Sequence, residues 1–412
     1  MNIDKADIEC LAGSKPENII NEKPFQIYDL KTIDFLSKLS SEILALSKKD
    51  DKYRIFLYFA LWSRKSNLLR LSQNRNDLEY RFGRGFAFHI APSNVVTNIL
   101  FTMAFGLLSG CPSLIRISNK SKPNIIEIIH LINTILHNDE FLSIKKKISL
   151  ISYSHNESIS QSLSINSSIR VIWGGDSTIN YFKRFNTQAK CIDLVFPNRT
   201  SSALISGDWL INSSEDDQKI IATSFANDIA LFAQKACSSP TKLYVLDDGL
   251  KTERVAYSLK KFFMYCDQAI NNIRDVDTDH SFNNFKSASL LSLEMRQDIN
   301  SFRGKNIFVL YYLDNAKDLD IDFTCENSCL LAYKISDLIK IKDLLHYNNQ
   351  TIVAIGFDKY QLESLKSIVA PLGTDRIVRA GMALNMDINW DGYDIVSYMT
   401  RLIQVSNGRK II

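Results

Sequence analysis

Residues 82–110 read FGRGFAFHIAPSNVVTNILFTMAFGLLSG. Gly85–Ile90 predicts a buried strand and Ala91-Pro92-Ser93-Asn94 a turn. Val95–Leu108 predicts a buried helix, stopped by Ser109 and Gly110. Ser113–Ser118, SLIRIS, predicts the next strand. Strand, helix and strand within about thirty residues make a βαβ unit, the signature of a parallel sheet. Gly83 and Gly85 form a GxG, but it precedes the strand. A dinucleotide fingerprint must follow one.

The alternation continues outward. Towards the N-terminus, Phe35, Leu36, Leu39, Ile43, Leu44 and Leu46 fit one amphipathic helix face, and Ile55–Ser63 another. Towards the C-terminus come a helix over 124–136, a strand over 148–153 and a strand over 169–173. Gly174-Gly175-Asp176 then leads into a helix from Ser177. Strand, paired glycines and helix is a place where a ligand can approach backbone N–H groups, or simply a tight turn. One or two strands follow over 190–206. Beyond Val245 the pattern predicts a helix over 250–265 and a polar loop near 270–285. Strands near 306–312, 330–335 and 351–356 come next, and the tail 388–405 predicts a turn entering a last helix.

Between these two series lies Thr223–Val245, TSFANDIALFAQKACSSPTKLYV. Ile221, Phe225, Ile229 and Phe232 recur at helical spacing, and Ser213-Ser214 before Glu215-Asp216-Asp217 marks the helix start. Pro240 cannot continue a helix, while Leu243, Tyr244 and Val245 have β character. Cys237 therefore falls on a polar break between a helix and a strand. Held there by rigid elements, its sulfur is a candidate nucleophile; a free cysteine is also a common core residue.

The 412 residues, 45% hydrophobic, suffice for two or three domains. A net charge of +4 with interspersed signs gives no argument for nucleic acid. No run reaches the ~18 apolar residues of a membrane span, and MNIDKADIEC lacks a signal core, so a cytoplasmic protein is expected. Cysteines at 10, 111, 191, 237, 266, 325 and 329 are odd in number and scattered, unlike a disulfide framework. Cys325 and Cys329 lack the further ligands of a zinc site, and no metal is expected. His89 sits in an apolar run and reads as buried and hydrogen-bonded.

Four motifs, GRGFAFHIAPSNV, WGGD at Trp173–Asp176, ACSSP at Ala236–Pro240 and WDGYD at Trp390–Asp394, occur in that order. Together they resemble the LuxC-type acyl-CoA reductases, members of the aldehyde dehydrogenase superfamily. The resemblance implies an α/β, aldehyde dehydrogenase-like fold. Its parallel-sheet cofactor domain would span 1–206, with 386–412 returning to it, and its α/β catalytic domain 207–385. It places the acyl-accepting cysteine on Cys237. Asn94, in the Pro92-Ser93-Asn94 turn, would donate its amide to the oxyanion alongside the Cys237 N–H. Arg116 stands where the superfamily has a lysine that contacts the cofactor's ribose. An arginine fork suits phosphate, so Arg116 with Ser118 points to NADPH, with NADH possible. Gly174 and Gly175 would lie near the pyrophosphate, and Glu326 near a ribose. The family also implies an acyl-CoA or acyl-protein substrate, an acyl-protein synthetase partner and a homo-oligomer.

The chain departs from the pattern at Cys111 and Arg379. More telling is 195–199, VFPNR, where aldehyde-oxidising relatives carry the Glu that activates water. Hydrolysis of an acyl-enzyme needs such a base; reduction of a thioester needs a thiolate, an oxyanion pocket and a hydride. The expected activity is therefore NADPH-dependent reduction of a fatty acyl thioester to an aldehyde. A CoA-acylating aldehyde dehydrogenase for a short or unusual acyl group, and a non-catalytic acyl-carrying subunit, stay open.

Overall fold

The computed structural model describes residues 8–247, 249, 251–273, 280–295, 300–312 and 326–405. The chain divides at Asn198/Arg199 and again at Asn385/Met386, giving two compact units. In the first, β1 (Glu9–Gly13), β2 (Arg81–Gly83), β3 (Ala87–Ile90), β4 (Ser113–Arg116), β5 (Ile148–Ser152), β6 (Ile169–Trp173) and β7 (Ile192–Phe196) follow in sequence. Six of them form a sheet in the order β1-β5-β4-β3-β6-β7. All neighbours are parallel except β1, which lies antiparallel on β5. The chain leaves β3 for β4 on one side and later returns to place β6 on the other. That reversal is a topological switch point, where ligands bind at the carboxyl ends of the strands.

The expected βαβ unit is present, with its helix over Thr97–Leu108. Every residue of that helix except Asn98 is buried, as apolar character all round requires. Phe101 and Phe105 pack on Trp62 at 5.2 and 5.6 Å between ring centroids. The other sheet face buries Phe88, Ile90, Leu114, Ile172 and Phe182. Both faces are covered, which explains near-continuous apolar strands.

His89 is fully buried on β3. Its Nδ1 lies 2.8 Å from Thr102 Oγ1, which also accepts the Trp173 indole N–H at 3.0 Å. Burial pushes the imidazole down to about 3. The unfolded chain takes up a proton below about pH 6.5 that the folded protein refuses. Stability is therefore complete above that pH and falls as the pH drops. Relative to His89→Gln, the wild type is expected to lose about 2 kcal/mol more between pH 7.5 and 5, read by denaturant unfolding. Parallel pH profiles would refute this.

The second unit contains β8 (Thr200–Ser206), β9 (Pro240–Leu246), β10 (Asn300–Arg303), β11 (Phe308–Tyr312), β12 (Cys329–Ile335), β13 (Asn349–Ile355) and β14 (Arg376–Arg379). Their order is β10-β11-β12-β9-β8-β13-β14, and only the β10-β11 pair is antiparallel. The strand over 200–206, expected in the first domain, belongs here. Ala203 pairs with Leu243, and Ser202 lies opposite Ile352. The partners that capture the strand, β9 and β13, lie far along the chain. The polar stretch expected to be a loop near 270–285 becomes helical from His280, in a helix reaching Met295.

The tail returns to the first unit. Strands β15 (Asn389–Trp390) and β16 (Tyr393–Asp394) form a hairpin. Its turn needs positive φ at Asp391 (53°) and Gly392 (76°), which an Asp-Gly pair supplies. The expected last helix is only Ile395–Met399, and β17 (Thr400–Leu402) then pairs with β2. Among the described residues, no helix is long and apolar enough to cross a membrane.

Candidate active site

Five of the six proposed site residues share one edge of the first unit. Asn94, Arg116, Ser118, Gly174 and Gly175 lie at or just beyond the carboxyl ends of β3, β4 and β6. Those ends are in register, with Ile90 opposite both Arg116 and Ile172. Ala91 N–H extends the pairing to Arg116 O at 3.1 Å, and the chain then turns through Pro92-Ser93-Asn94. Asn94 is exposed on the surface of its unit. Its Oδ1 accepts the Val95 N–H at 3.1 Å, which orients the amide.

Arg116 lies with its guanidinium 4.7 Å from the Tyr153 ring centre, and its Nη2 donates to Tyr153 O at 3.5 Å. Its Nε is buried with no hydrogen-bond partner. Ser118 is engaged locally: its hydroxyl is 2.7 Å from Ser121 Oγ and accepts the Ser121 N–H at 3.2 Å. After β6, Gly174 and Gly175 lead into the Asp176–Lys183 helix, for which Gly175 is the N-cap. A Cβ at residue 174 would stand 2.9 Å from Thr178 Cβ, and one at 175 would stand 3.0 Å from Asn198 Nδ2. Glycine at both positions lets the helix start pack closely against Thr178 and Asn198. A helix N-terminus, a glycine pair and an arginine with unspent donor capacity, all at a switch point, fit the phosphates of a dinucleotide.

Cys237 is in the second unit, at the amino edge of its sheet. The helix before it, Glu215–Ala230, is capped by Ser214, whose Oγ accepts the Asp217 N–H at 3.1 Å. Phe225 and Ile229 are buried as the spacing predicts. Phe232 does not continue that helix. Phe232, Ala233 and Gln234 have φ of 54°, 52° and 62°, a left-handed turn of three non-glycine residues. Each such residue costs roughly 1–2 kcal/mol unless the surroundings compensate.

The surroundings do so through side chains. The buried Gln234 amide donates to Pro240 O at 2.7 Å and Cys329 O at 3.0 Å, and accepts the Cys329 N–H at 3.1 Å. Asn327 N–H donates to Ala233 O at 3.0 Å. Cys237 itself lies on the following turn, where Ser239 N–H reaches Ala236 O at 2.9 Å. Its carbonyl accepts Ser201 Oγ–H at 2.7 Å, and the same Oγ accepts the Thr351 N–H at 3.1 Å. The thiol residue is partly exposed, whereas Cys111, Cys266 and Cys329 are buried. Cys237 is thus a presented cysteine on a pinned turn.

Lys235, two residues before it, pairs with Glu326 at 3.7 Å. The carboxylate therefore offsets the cation that would most simply favour a thiolate, and Glu326, placed by resemblance at a ribose, is engaged there. At VFPNR no acid stands in; Arg199 donates to Asn348 O, Asn349 O and Gly373 O and pairs with Asp375 at 3.0 Å. The WDGYD motif is also structural: Asp394 caps the Ile395–Met399 helix and pairs with Arg75 at 3.1 Å.

Sequence reasoning missed Gln234 and Ser201, whose partners are distant in the chain. It also missed Asp228, fully buried, which accepts Gly381 N–H at 2.6 Å and Ala383 N–H at 3.0 Å. Burial pushes its carboxyl up to about 7. A cavity of about 620 Å³ in the same unit lies at the opposite, carboxyl edge, lined by Ser206, Asp247, Lys251, Ser336 and Gly356. It is separate from Cys237. Among the described residues, no group of three or more His, Cys, Asp or Glu could hold a metal.

The structure is similar to those of aldehyde dehydrogenases at low identity. Aldehyde dehydrogenase 21 from Physcomitrella patens, in complex with the reaction product succinate, superposes with a TM-score of 0.61 at 10% identity, covering 90% of this chain and 84% of that one. KauB from Pseudomonas aeruginosa gives 0.61 at 13%, covering 90% and 83%. The Δ-pyrroline-5-carboxylate dehydrogenase from Mycobacterium tuberculosis, bound with NAD, gives 0.61 at 9%, covering 96% and 83%. Among curated proteins, none matches the sequence significantly. The model of the LuxC family, acyl-CoA reductase, matches residues 21–402. With that match over nearly its whole length and an aldehyde dehydrogenase-like α/β fold, the chain belongs to the LuxC family of acyl-CoA reductases.

Proposed function

We propose that this protein reduces a fatty acyl thioester to an aldehyde with NADPH, through an acyl-enzyme on Cys237. The observation that carries the reading is the partly exposed cysteine of the ACSSP motif, presented on a turn that two side-chain clamps hold. The Cys237 thiolate attacks the thioester carbonyl, a C–Sγ bond forms, and the donor's thiolate leaves. A bound nicotinamide dinucleotide would supply the hydride that reduces the acyl carbon. The hemithioacetal oxyanion then re-forms its carbonyl, the C–Sγ bond breaks, and aldehyde and thiolate separate. Both leaving groups are thiolates, so neither departure calls for strong acid assistance.

Asn94 would give its amide N–H to the oxyanion. Gly174, Gly175 and the first turn of the Asp176–Lys183 helix would hold the pyrophosphate, with Arg116 towards the adenosine end; the Ser118 hydroxyl is taken up by Ser121. The absence of a carboxylate at 195–199 supports reduction over hydrolysis, since no base there would prime water against the acyl-enzyme.

The test is a series of acyl-CoAs of increasing chain length, with NADPH and NADH oxidation followed by absorbance. The expected result is aldehyde formation rising with chain length, and faster with NADPH. Activity confined to short acyl groups would favour a CoA-acylating aldehyde dehydrogenase. No oxidation with any acyl-CoA, together with no quenching of tryptophan fluorescence by NADPH, would favour an acyl carrier.

A further inference from the structure

We propose that Gln234 is the positioning residue of the Cys237 turn: its buried carboxamide holds the left-handed stretch Phe232–Gln234 and so fixes where the thiol is presented. The inference rests on the reading of Cys237 as nucleophile and deepens it. Three observations converge. Phe232, Ala233 and Gln234 all occupy the left-handed region that non-glycine residues avoid. Gln234 is 3% exposed, and its amide makes three hydrogen bonds, to the first residue of β9 and to both backbone groups of the first residue of β12. Cys237 lies three residues after Gln234 and three before Pro240, so the clamp closes a loop of which Cys237 is the midpoint.

Strain confined to such a loop and locked by a buried side chain is a means of setting a reactive group in advance. A glycine in the turn would satisfy the backbone without a clamp, but would leave it free to move. Non-glycine residues plus Gln234 give one conformation. Ser201, which holds the Cys237 carbonyl, adds a second anchor from β8.

The test compares the wild type with Gln234→Met, which keeps the volume and removes all three hydrogen bonds. The expected result is a kcat at least tenfold lower, with KM for acyl-CoA within about threefold, in a protein whose circular dichroism is unchanged. Site-resolved iodoacetamide labelling should show Cys237 alkylated at least about fivefold faster in the variant, because the released turn exposes the sulfur more often. The exposed Cys10 serves as the internal control.

A Gln234→Met protein with kcat and Cys237 labelling both within twofold of wild type would overturn the proposal. If that variant fails to fold, Gln234→Glu decides instead. Its neutral carboxyl can restore one donor, so its kcat relative to wild type should rise as pH falls; a flat ratio would overturn the proposal. Cys237→Ala keeps the two readings apart. Acyl-enzyme surviving in it would end the nucleophile assignment, while the labelling rates would still decide the role of Gln234.

Discussion

Cys237→Ala and Cys237→Ser are expected to form no acyl-enzyme and to lose roughly 10⁵-fold or more in turnover, the scale on which removing a covalent nucleophile acts. Alanine has no nucleophile at all. Serine keeps the shape but offers a hydroxyl that, without an adjacent base, is not ionised near neutral pH. Since Cys237 is partly exposed, neither change opens a cavity, and stability should shift by no more than about 0.5 kcal/mol. The measurement is incubation with radiolabelled acyl-CoA followed by peptide mapping. Label on Cys10 or Cys191, the other accessible cysteines among the described residues, would refute the assignment.

Asn94→Ala should lower kcat about a hundredfold or more, because one oxyanion donor is typically worth ~2.7–4 kcal/mol. The residue also shapes its own turn through the bond from Val95 N–H to Oδ1. Losing that bond costs about 0.5–1.5 kcal/mol of stability, a separate effect. Asn94→Asp tells the two apart. It keeps the size and the acceptor for Val95 N–H but replaces the amide donor with a carboxylate that repels the oxyanion, so it should be at least as slow as Ala while retaining the parent's turn. A loss of less than about threefold in either variant would remove Asn94 from the chemistry.

The first unit was legible because its strands are short apolar runs separated by glycine and proline turns. Each candidate there stands at or just beyond the carboxyl end of a strand, so placing the strands placed Asn94, Arg116 and Gly174 on one edge. The helix over Thr97–Leu108 shows the usual limit, starting two residues later than the apolar pattern suggested. Ser118 shows another: a hydroxyl after a strand looks available until its own turn claims it. The strand at 200–206 was recognisable as a strand but not as a member of the second sheet. Period-2 alternation reports burial, whereas pairing is chosen by partners that composition does not identify. Phe232 fitted the helical spacing and still left the helix, because periodicity continues in a sequence after hydrogen bonding has stopped.

Local pattern alone was enough for the parallel α/β architecture and for the break that carries Cys237, since strand and helix periods and turn residues act over a few positions. Its motifs, read in order, were enough for the family. Tertiary structure alone revealed how the cysteine is held. Gln234 reaches Cys329, 95 residues away, and Ser201 bridges Cys237 and Thr351. Hydrogen bonds closed by folding leave no periodic trace, because a buried amide's partner is set by which strands become neighbours.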